Sequence, residues 1–537
     1  MLFSQQPGDI MSVISEVMIE GNKAFQQNNF FKAHDYFTTA LERDGKNAII
    51  YSNLGVCCIE MKQWQRAFDL FQIGYELAPN HPAINTNLSQ AYRLIGRMPD
   101  AVYHVKKVIA FSPDSSVAHS NLLLYLNYCP NISSKDLFVY HQQWGDLFPF
   151  KPKHQLYYPN YPDPDRPLRV AYISPDFRGH SVGYFIEPAL TNYNSREFEI
   201  YCYAQVFNPD NTTRVFQQHV HTFRQIQNLN DQTLASQIQK DGIDILIDLA
   251  GHTSNSRLRV MTYQPAPIQI TYLGYPTTVG LKHVDYRLTD AMIDPEGMSD
   301  KWHTEKLVRL DPTFFCFQPL GNRIPVSPLP GLQKKEICFG GFHNTSKIPE
   351  MIIHLWSKVL EQMPGAQLLL QAAAYDDPDI VRYFQASFEK YGIHRGRIQC
   401  AGTLPFEQYL QLHHQIDIML DTQPWTGHTT SCHALWMGVP ILTLEGSRHA
   451  SRIGQRLMQA LDLQEWVAKD HQDYVQKAMQ LSQDRHALDK LRQSMRERIL
   501  KSGISDKKQY VYSLEKVYRQ LWTAWCEQKS RTGVCTV

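Results

Sequence analysis

Residues 417–444 read DIMLDTQPWTGHTTSCHALWMGVPILTL, and the pattern in this stretch decides the fold. The apolar run 416–420 predicts a buried strand, the polar 421–426 a loop, 428–437 a helix and 439–444 a second strand. A strand, loop, helix and strand in that order build a parallel sheet, because parallel neighbours need a crossover connection. Thr429, Thr430 and Ser431 open the helix just after Gly427. The first N–H groups of a helix have no partner inside it and that end is electropositive, so backbone donors and hydroxyls converge where a phosphate group can bind.

Upstream, the theme repeats. Residues 336–371 give a strand, the loop FHNTSK, a helix and a strand, after the proline-rich boundary PVSPLPGLQKK at 325–335. Earlier still, LRVAYISPDFRGHSVGYFIEPAL predicts a strand over 168–173, the loop SPDFRGH and a helix over 184–190. Further strands are expected at 198–203, at 243–249 and in PIQITYLGYPTTVG, and residues 476–526 read as long amphipathic helices. Two Rossmann-like domains follow, 166–325 and 326–527, each with its polar loops at the strand C-termini, where open α/β sheets bind ligands.

The N-terminal part is organised differently. Gly21, Gly55 and Ser89 are 34 residues apart, as are Ala33, Ala67 and Ala101, and Phe37, Phe71 and Val105. Pro79 and Pro113 keep that spacing, as do Asn53-Leu54, Asn87-Leu88 and Asn121-Leu122. A 34-residue period with small residues at fixed helix contacts is the tetratricopeptide pattern, and residues 12–130 hold three full repeats and the first helix of a fourth. Such hairpins bury their apolar faces only by stacking, which makes a solenoid with a concave groove suited to a peptide or partner protein. The alternative is that so few repeats scaffold or dimerise the chain. Residues 131–165 lose the period, gather prolines and read as a linker; Asp163-Pro164-Asp165 within it reads as a turn rather than a metal-binding D-x-D.

Composition narrows the function. A chain of 537 residues exceeds one core, and Lys+Arg 53 against Asp+Glu 52 leaves no basic surplus for nucleic acid or an anionic membrane. The cysteines carry no C-x-x-C spacing, so they read as thiols of a reducing compartment. The N-terminal MLFSQQPGDIMSVISEVM lacks a basic then apolar leader, and no apolar run nears the ~20 residues of a membrane helix. The expectation is a cytoplasmic protein. Neither Rossmann-like domain has G-x-G-x-x-G or G-x-x-x-x-G-K-[ST], and H-E-x-x-H is missing, which disfavours a dinucleotide oxidoreductase, a P-loop NTPase and a metal site of that type. Facing α/β domains without those motifs suit sugar-nucleotide transfer. In the absence of a metal, a helix N-terminus and one lysine would neutralise the departing diphosphate. His428, Thr429 and Thr430 supply the first, and Lys347 in FHNTSK the second.

From Leu168 to about Cys526 the chain resembles the catalytic region of the O-GlcNAc transferase/SPINDLY family. The resemblance rests on SPDFRGHSVGYFIEP, DLAGHTSNSRL, QPAPIQITYLGYPTTVG, VDYRLTD, HTEKLVRLDPTFFCF, FHNTSKI and LDTQPWTGHTTSCHALWMGVPILTL, in that order. It implies a GT-B fold behind the tetratricopeptide repeats, and inverting transfer of a sugar to Ser or Thr of proteins without a metal. No cofactor is implied beyond a nucleotide-sugar co-substrate, UDP-GlcNAc in animal-type members and GDP-fucose in the plant SPINDLY branch. By motif position, His180 matches the histidine near the acceptor hydroxyl, Lys347 the lysine on the donor diphosphate, Asn344 a neighbouring donor contact, and His428, Thr429 and Thr430 the helix-start donor contacts.

A histidine with an ordinary pKa near 6.5 can orient or deprotonate a hydroxyl, and the proton's destination stays open among His180, Asp241, Asp244 and the donor phosphate. The chain departs from the family at three positions. His433 stands where an acidic residue usually holds the donor ribose, Phe406 where animal enzymes carry a base-contacting lysine, and Asp244 where they carry histidine. The expected function is protein O-glycosyl transfer from UDP-GlcNAc, with O-fucosyl transfer from GDP-fucose as an alternative and a non-catalytic sugar-nucleotide-binding scaffold as another. Expected partners are peptide or protein acceptors in the groove and the nucleotide-sugar donor, with no nucleic acid and no membrane; a homo-oligomer stays open.

Overall fold

Buried small residues set the N-terminal helices side by side. Gly21 and Gly55 are buried, and a Cβ on either would lie 2.5 Å and 2.3 Å from the rings of Phe37 and Phe71. At the matching positions of the third repeat stand the larger Ser89 and the smaller Val105, both buried, a swap that keeps the filled volume rather than the residue type. The computed structural model describes residues 7–149, 158–319, 323–334 and 336–531. Parts of the linker (150–157) and of the proline-rich boundary (335), as well as residues 1–6, 320–322 and 532–537, lie outside the described residues.

The described chain forms two compact units. One comprises residues 1–130, 330–423 and 478–483. It begins with α1 (Pro7–Gln26), α2 (Phe30–Arg43), α3 (Ala48–Glu60), α4 (Trp64–Leu77), α5 (Pro82–Leu94), α6 (Met98–Phe111) and α7 (Ser116–Tyr128). Those are three hairpins and a first helix, as the period predicts. Asn29, Asn47 and Ser115 cap α2, α3 and α7 by accepting backbone N–H bonds, which satisfies donors that the helix leaves unpaired.

The other unit comprises residues 131–329, 424–477 and 484–537. It opens with α8 (Ser134–Leu147), inside the segment read as linker. Trp144 and His141 on α8 are buried, and Gly145 lies so close to Gly280 that a Cβ would fall 2.0 Å from its carbonyl oxygen. Asp163 accepts the Asp165 N–H in a side-chain turn, as its sequence context suggests.

In the second unit β1 (Leu168–Ser174), β2 (Phe198–Ala204), β3 (Thr222–Gln225), β4 (Ile245–Asp248), β5 (Ile268–Thr271), β6 (Tyr286–Asp290) and β7 (Lys306–Leu310) form a parallel sheet in the order β3-β2-β1-β4-β5-β6-β7. The sequence reading anticipated four of these. The edge strand β3 is half-exposed and has no apolar run, which hides it. In the first unit β8 (Cys338–Gly341), β9 (Gln367–Gln371), β10 (Ile398–Ala401) and β11 (Ile418–Leu420) run β10-β9-β8-β11, also parallel. β12 (Ile441–Leu444) pairs in parallel with β13 (Val467–Ala468) in the second unit. Each large sheet reverses its strand order once, between β1 and β4 and between β8 and β11. At such switch points the flanking loops diverge and leave a crevice at the strand C-termini.

Candidate active site

The switch point of the first unit carries Lys347. β8 ends in the loop 342–348 and β11 in Asp421, and the register Ile418↔Phe339 brings both loops to one edge. His343 Nε2 donates to the Leu420 carbonyl at 2.9 Å and joins them. Asn344 Oδ1 accepts the Ser346 N–H at 3.0 Å, which closes the short 3-10 turn Thr345–Lys347 and aims a single lysine from a rigid base. Burial pushes the Lys347 ammonium down to about 8, against the pull of the Asp421 carboxylate. A half-buried cation with so much of its water removed favours an anion strongly. Phe406 is 36% exposed, and its ring lies 6.1 Å from Tyr409, itself 6.3 Å from the Phe342 that precedes the loop.

In the second unit the switch point carries His180. It caps the helix Ser181–Thr191 by accepting the Val182 N–H on Nδ1 at 3.3 Å, and the same nitrogen lies 3.5 Å from Asp176 Oδ1. Burial pushes the imidazole down against the Asp176 carboxylate, and burial pushes Asp176 up against His180 and Arg178. His180 is therefore neutral at pH 7. With Nδ1 accepting, the proton sits on Nε2, which makes the ring a hydrogen-bond donor that can orient a hydroxyl oxygen. Acting as a base at Nε2 requires the other tautomer, in which Nδ1–H turns to Asp176 and the cap is lost.

The helix Thr429–Trp436 starts as the opening motif implies. His428 stands at its N-terminus and provides no side-chain cap. Its ring stacks on Phe185 at 4.2 Å and meets the edge of Phe315 at 4.5 Å, and these apolar contacts help to fix the helix start. Thr429 and Thr430 are half-buried in the first turn, and Ser431 Oγ beside them is buried without a hydrogen-bond partner among the described residues. An orphaned hydroxyl at a helix N-terminus is what a phosphate oxygen would satisfy. His433 is 6% exposed, and burial pushes it down to about 4, so it is a neutral ring near Phe317.

Asp241 and Asp244, the other candidate bases, stand at a different place in the second unit. Asp244 precedes β4, at the N-terminal edge of the sheet, and His180 follows the C-terminal end of β1. By the register of the two strands Asp244 lies level with Arg169, roughly 16 Å along the strand from the Ser174 end of β1. The Asp244 carboxylate is fully buried and takes Arg166 at 2.6 and 2.9 Å, the Arg169 N–H at 2.8 Å and Asn160 at 2.7 Å. Asp241 caps the end of the helix Asp231–Lys240 and takes Arg224 and the Tyr203 hydroxyl. Both are anchors of the sheet's far edge.

Three pairings escaped the sequence. Asp176 stands four residues before His180, a spacing visible in SPDFRGH. Phe315 lies within the quoted FFCF, but its contact with His428 is tertiary. His449 Nδ1 donates to Asp294 at 2.8 Å; burial opposes it, yet the imidazole holds the carboxyl well below its usual range. Among the described residues no cluster of three or more His, Cys, Asp or Glu side chains could hold a metal ion, and no helix is long and apolar enough to cross a membrane.

The model of glycosyl transferase family 41 matches residues 150–320 and 327–514. The chain belongs to that family. Among curated proteins, the probable UDP-N-acetylglucosamine–peptide N-acetylglucosaminyltransferase SPINDLY of Petunia hybrida is 36% identical over 426 residues, covering 78% of this chain and 45% of that protein. Its Arabidopsis thaliana counterpart is 36% identical over 420 residues, covering 77% and 46%. The chain thus spans under half the length of these relatives. A solved lysine-to-methionine mutant of Thermobaculum terrenum O-GlcNAc transferase matches 97% of this chain and 99% of its own at 29% identity and a TM-score of 0.87. The chain is thus similar over most of its length to the O-GlcNAc transferase/SPINDLY proteins of family 41, with the tetratricopeptide and GT-B α/β architecture expected from its motifs.

Proposed function

We propose that this family 41 glycosyltransferase transfers GlcNAc from UDP-GlcNAc to Ser or Thr hydroxyls of proteins, with inversion and without a metal. On this reading residues 166–325 serve the acceptor, 326–527 the donor, and the groove of 12–130 holds the acceptor chain, in a cytoplasmic enzyme. The carrying observation is Lys347, a single half-buried lysine on a braced loop at a sheet switch point. Its cation neutralises the charge that develops on the leaving nucleoside diphosphate. Asn344 and Phe406 of the same unit serve the donor as well. The uncapped N-terminus at Thr429, Thr430 and Ser431, fixed by His428, takes phosphate oxygens.

The acceptor oxygen attacks the anomeric carbon from the face opposite the diphosphate, the carbon–phosphate-oxygen bond breaks, and the hydroxyl proton leaves late. His180 Nε2–H orients the hydroxyl. The proton then passes to a donor phosphate oxygen, or to His180 after its tautomer shift toward Asp176.

A second reading, fucosyl transfer from GDP-fucose, draws on the Phe314 to Phe317 segment, which resembles the SPINDLY branch and packs against His428. Neutral His433, in place of the family's carboxylate, accepts at most one ribose hydroxyl bond. A panel of UDP-GlcNAc, UDP-glucose, GDP-fucose and GDP-mannose, run on the intact protein and on Lys347→Ala and His180→Ala, tests these readings. Transfer from one donor, lost in both variants, is expected. Binding of a donor without turnover of any would replace the enzyme with a sugar-nucleotide-binding scaffold.

A further inference from the structure

The turn between α5 and α6 has its backbone in the left-handed region at Gly96, φ +72. The equivalent turns of the first two repeats do the same at Asn28, φ 59, and Lys62, φ 59, each 34 residues before the next. The three turns also share a bond: the N–H of Asn28, Lys62 and Gly96 donates to the carbonyl three residues back. Asparagine and lysine therefore serve at this position, and backbone conformation alone does not call for glycine in the third repeat. The surroundings do. A Cβ on Gly96 would lie 2.6 Å from the Ile348 carbonyl oxygen and 3.1 Å from that of Thr345, the two residues that bracket Ser346 and Lys347. Ser346, fully buried, donates its hydroxyl to the Arg93 carbonyl at 3.1 Å, and Arg93 reaches back to the same hydroxyl at 3.4 Å. One repeat earlier, the Trp64 N–H bonds Asp377 at 2.6 Å and the Gln65 N–H bonds Asp379 at 3.0 Å.

We propose that the third tetratricopeptide repeat positions Lys347, with Arg93 and Gly96 clamping the loop 344–348 through Ser346 and the carbonyls on either side of it. The consequence for catalysis rests on Lys347 as the diphosphate ligand; the clamp itself does not. Arg93, Gly96 and Ser346 are positioning residues. The loop is held from two directions, by His343 on Leu420 and by the solenoid turn on residues 345–348. The solenoid is then a working part of the phosphate-binding half, and a movement of α5 is felt at the lysine.

Gly96→Asn tests this directly, because Asn28 shows that the repeat accepts asparagine at this backbone angle. Ser346→Ala removes one hydroxyl and adds no bulk. Gly392→Asn, at φ +79 with nothing within 4 Å of its Cβ position, is the control for backbone strain. The readouts are the Lys347 pKa, followed by NMR after reductive methylation with carbon-13 formaldehyde, with Lys347→Arg identifying the signal, and the affinity for UDP and GDP by calorimetry. Expected in the two clamp variants is a Lys347 pKa raised from about 8 towards the ordinary 10.5 as water reaches the loop, with about tenfold weaker diphosphate binding; the control keeps both. An unchanged Lys347 pKa in both clamp variants, or an equal change in the control, overturns the clamp. A raised pKa in a chain that binds neither UDP nor GDP supports the clamp and removes the diphosphate reading.

Discussion

His343 Nε2 donates to the Leu420 carbonyl at 2.9 Å, and this bond joins the loop after β8 to the loop after β11. Burial pushes the ring down to about 3, so it stays neutral and keeps this role through the physiological pH range. His343→Ala leaves a buried carbonyl without its donor, at about 1–3 kcal/mol. A lowered midpoint in urea together with weaker nucleotide affinity is expected; full affinity in the variant would show that the two loops hold independently.

The pH dependence of kcat/KM reports Lys347 in the free enzyme. Its cation is present below about 8 and lost as pH rises through that value, so activity falls on the alkaline side. Lys347→Arg stays cationic there, and any residual activity in that variant lacks this limb. An alkaline limb that persists unchanged in Lys347→Arg assigns it to another group.

At His180 burial pushes the imidazole down, and the Asp176 carboxylate opposes that shift. Asp176→Asn removes that support, and the His180 pKa moves further down. The imidazole proton signals of the two proteins, titrated side by side, decide the matter. An upward movement would mean that the pair is not coupled as the geometry implies.

Asp244→Asn separates anchor from base. Loss of the carboxylate leaves Arg166 without its bidentate partner and lowers stability by about 3 kcal/mol. The folded enzyme keeps kcat within about twofold, because a change at the far rim leaves the reacting groups in place. A thousandfold fall in kcat at full folding would restore Asp244 as a catalytic group.

In the solenoid, Gly55→Ser forces a side chain against the ring of Phe71 and lowers stability by about 1–3 kcal/mol. Adding Phe71→Val reproduces the Ser89 and Val105 pairing of the third repeat and recovers part of the loss. A double-mutant cycle measures the coupling, and strict additivity would refute the volume-matching account.

Much of the site was legible as residues but not as neighbours. The period of 34 located the helices because small and large side chains alternate at fixed contacts, and the apolar runs located the inner strands. Edge strand β3 was not legible, since half-exposed residues carry no apolar run. Asp241 and Asp244 looked eligible as bases because an aspartate's type says nothing about which rim of a sheet it occupies.

By itself the sequence determined the repeat period, the parallel α/β class and the family motifs, and it singled out Lys347, His180 and the helix start at Thr429 as candidates. These follow from local rules of periodicity, capping and side-chain chemistry. Tertiary structure alone decided that Asp244 is an anchor, that His343 ties two loops together, that His428 is held by Phe185 and Phe315, and that Gly96 abuts the loop of Lys347. Each of those depends on groups far apart in the chain meeting within a few ångströms, and only the packing of the whole unit sets such distances.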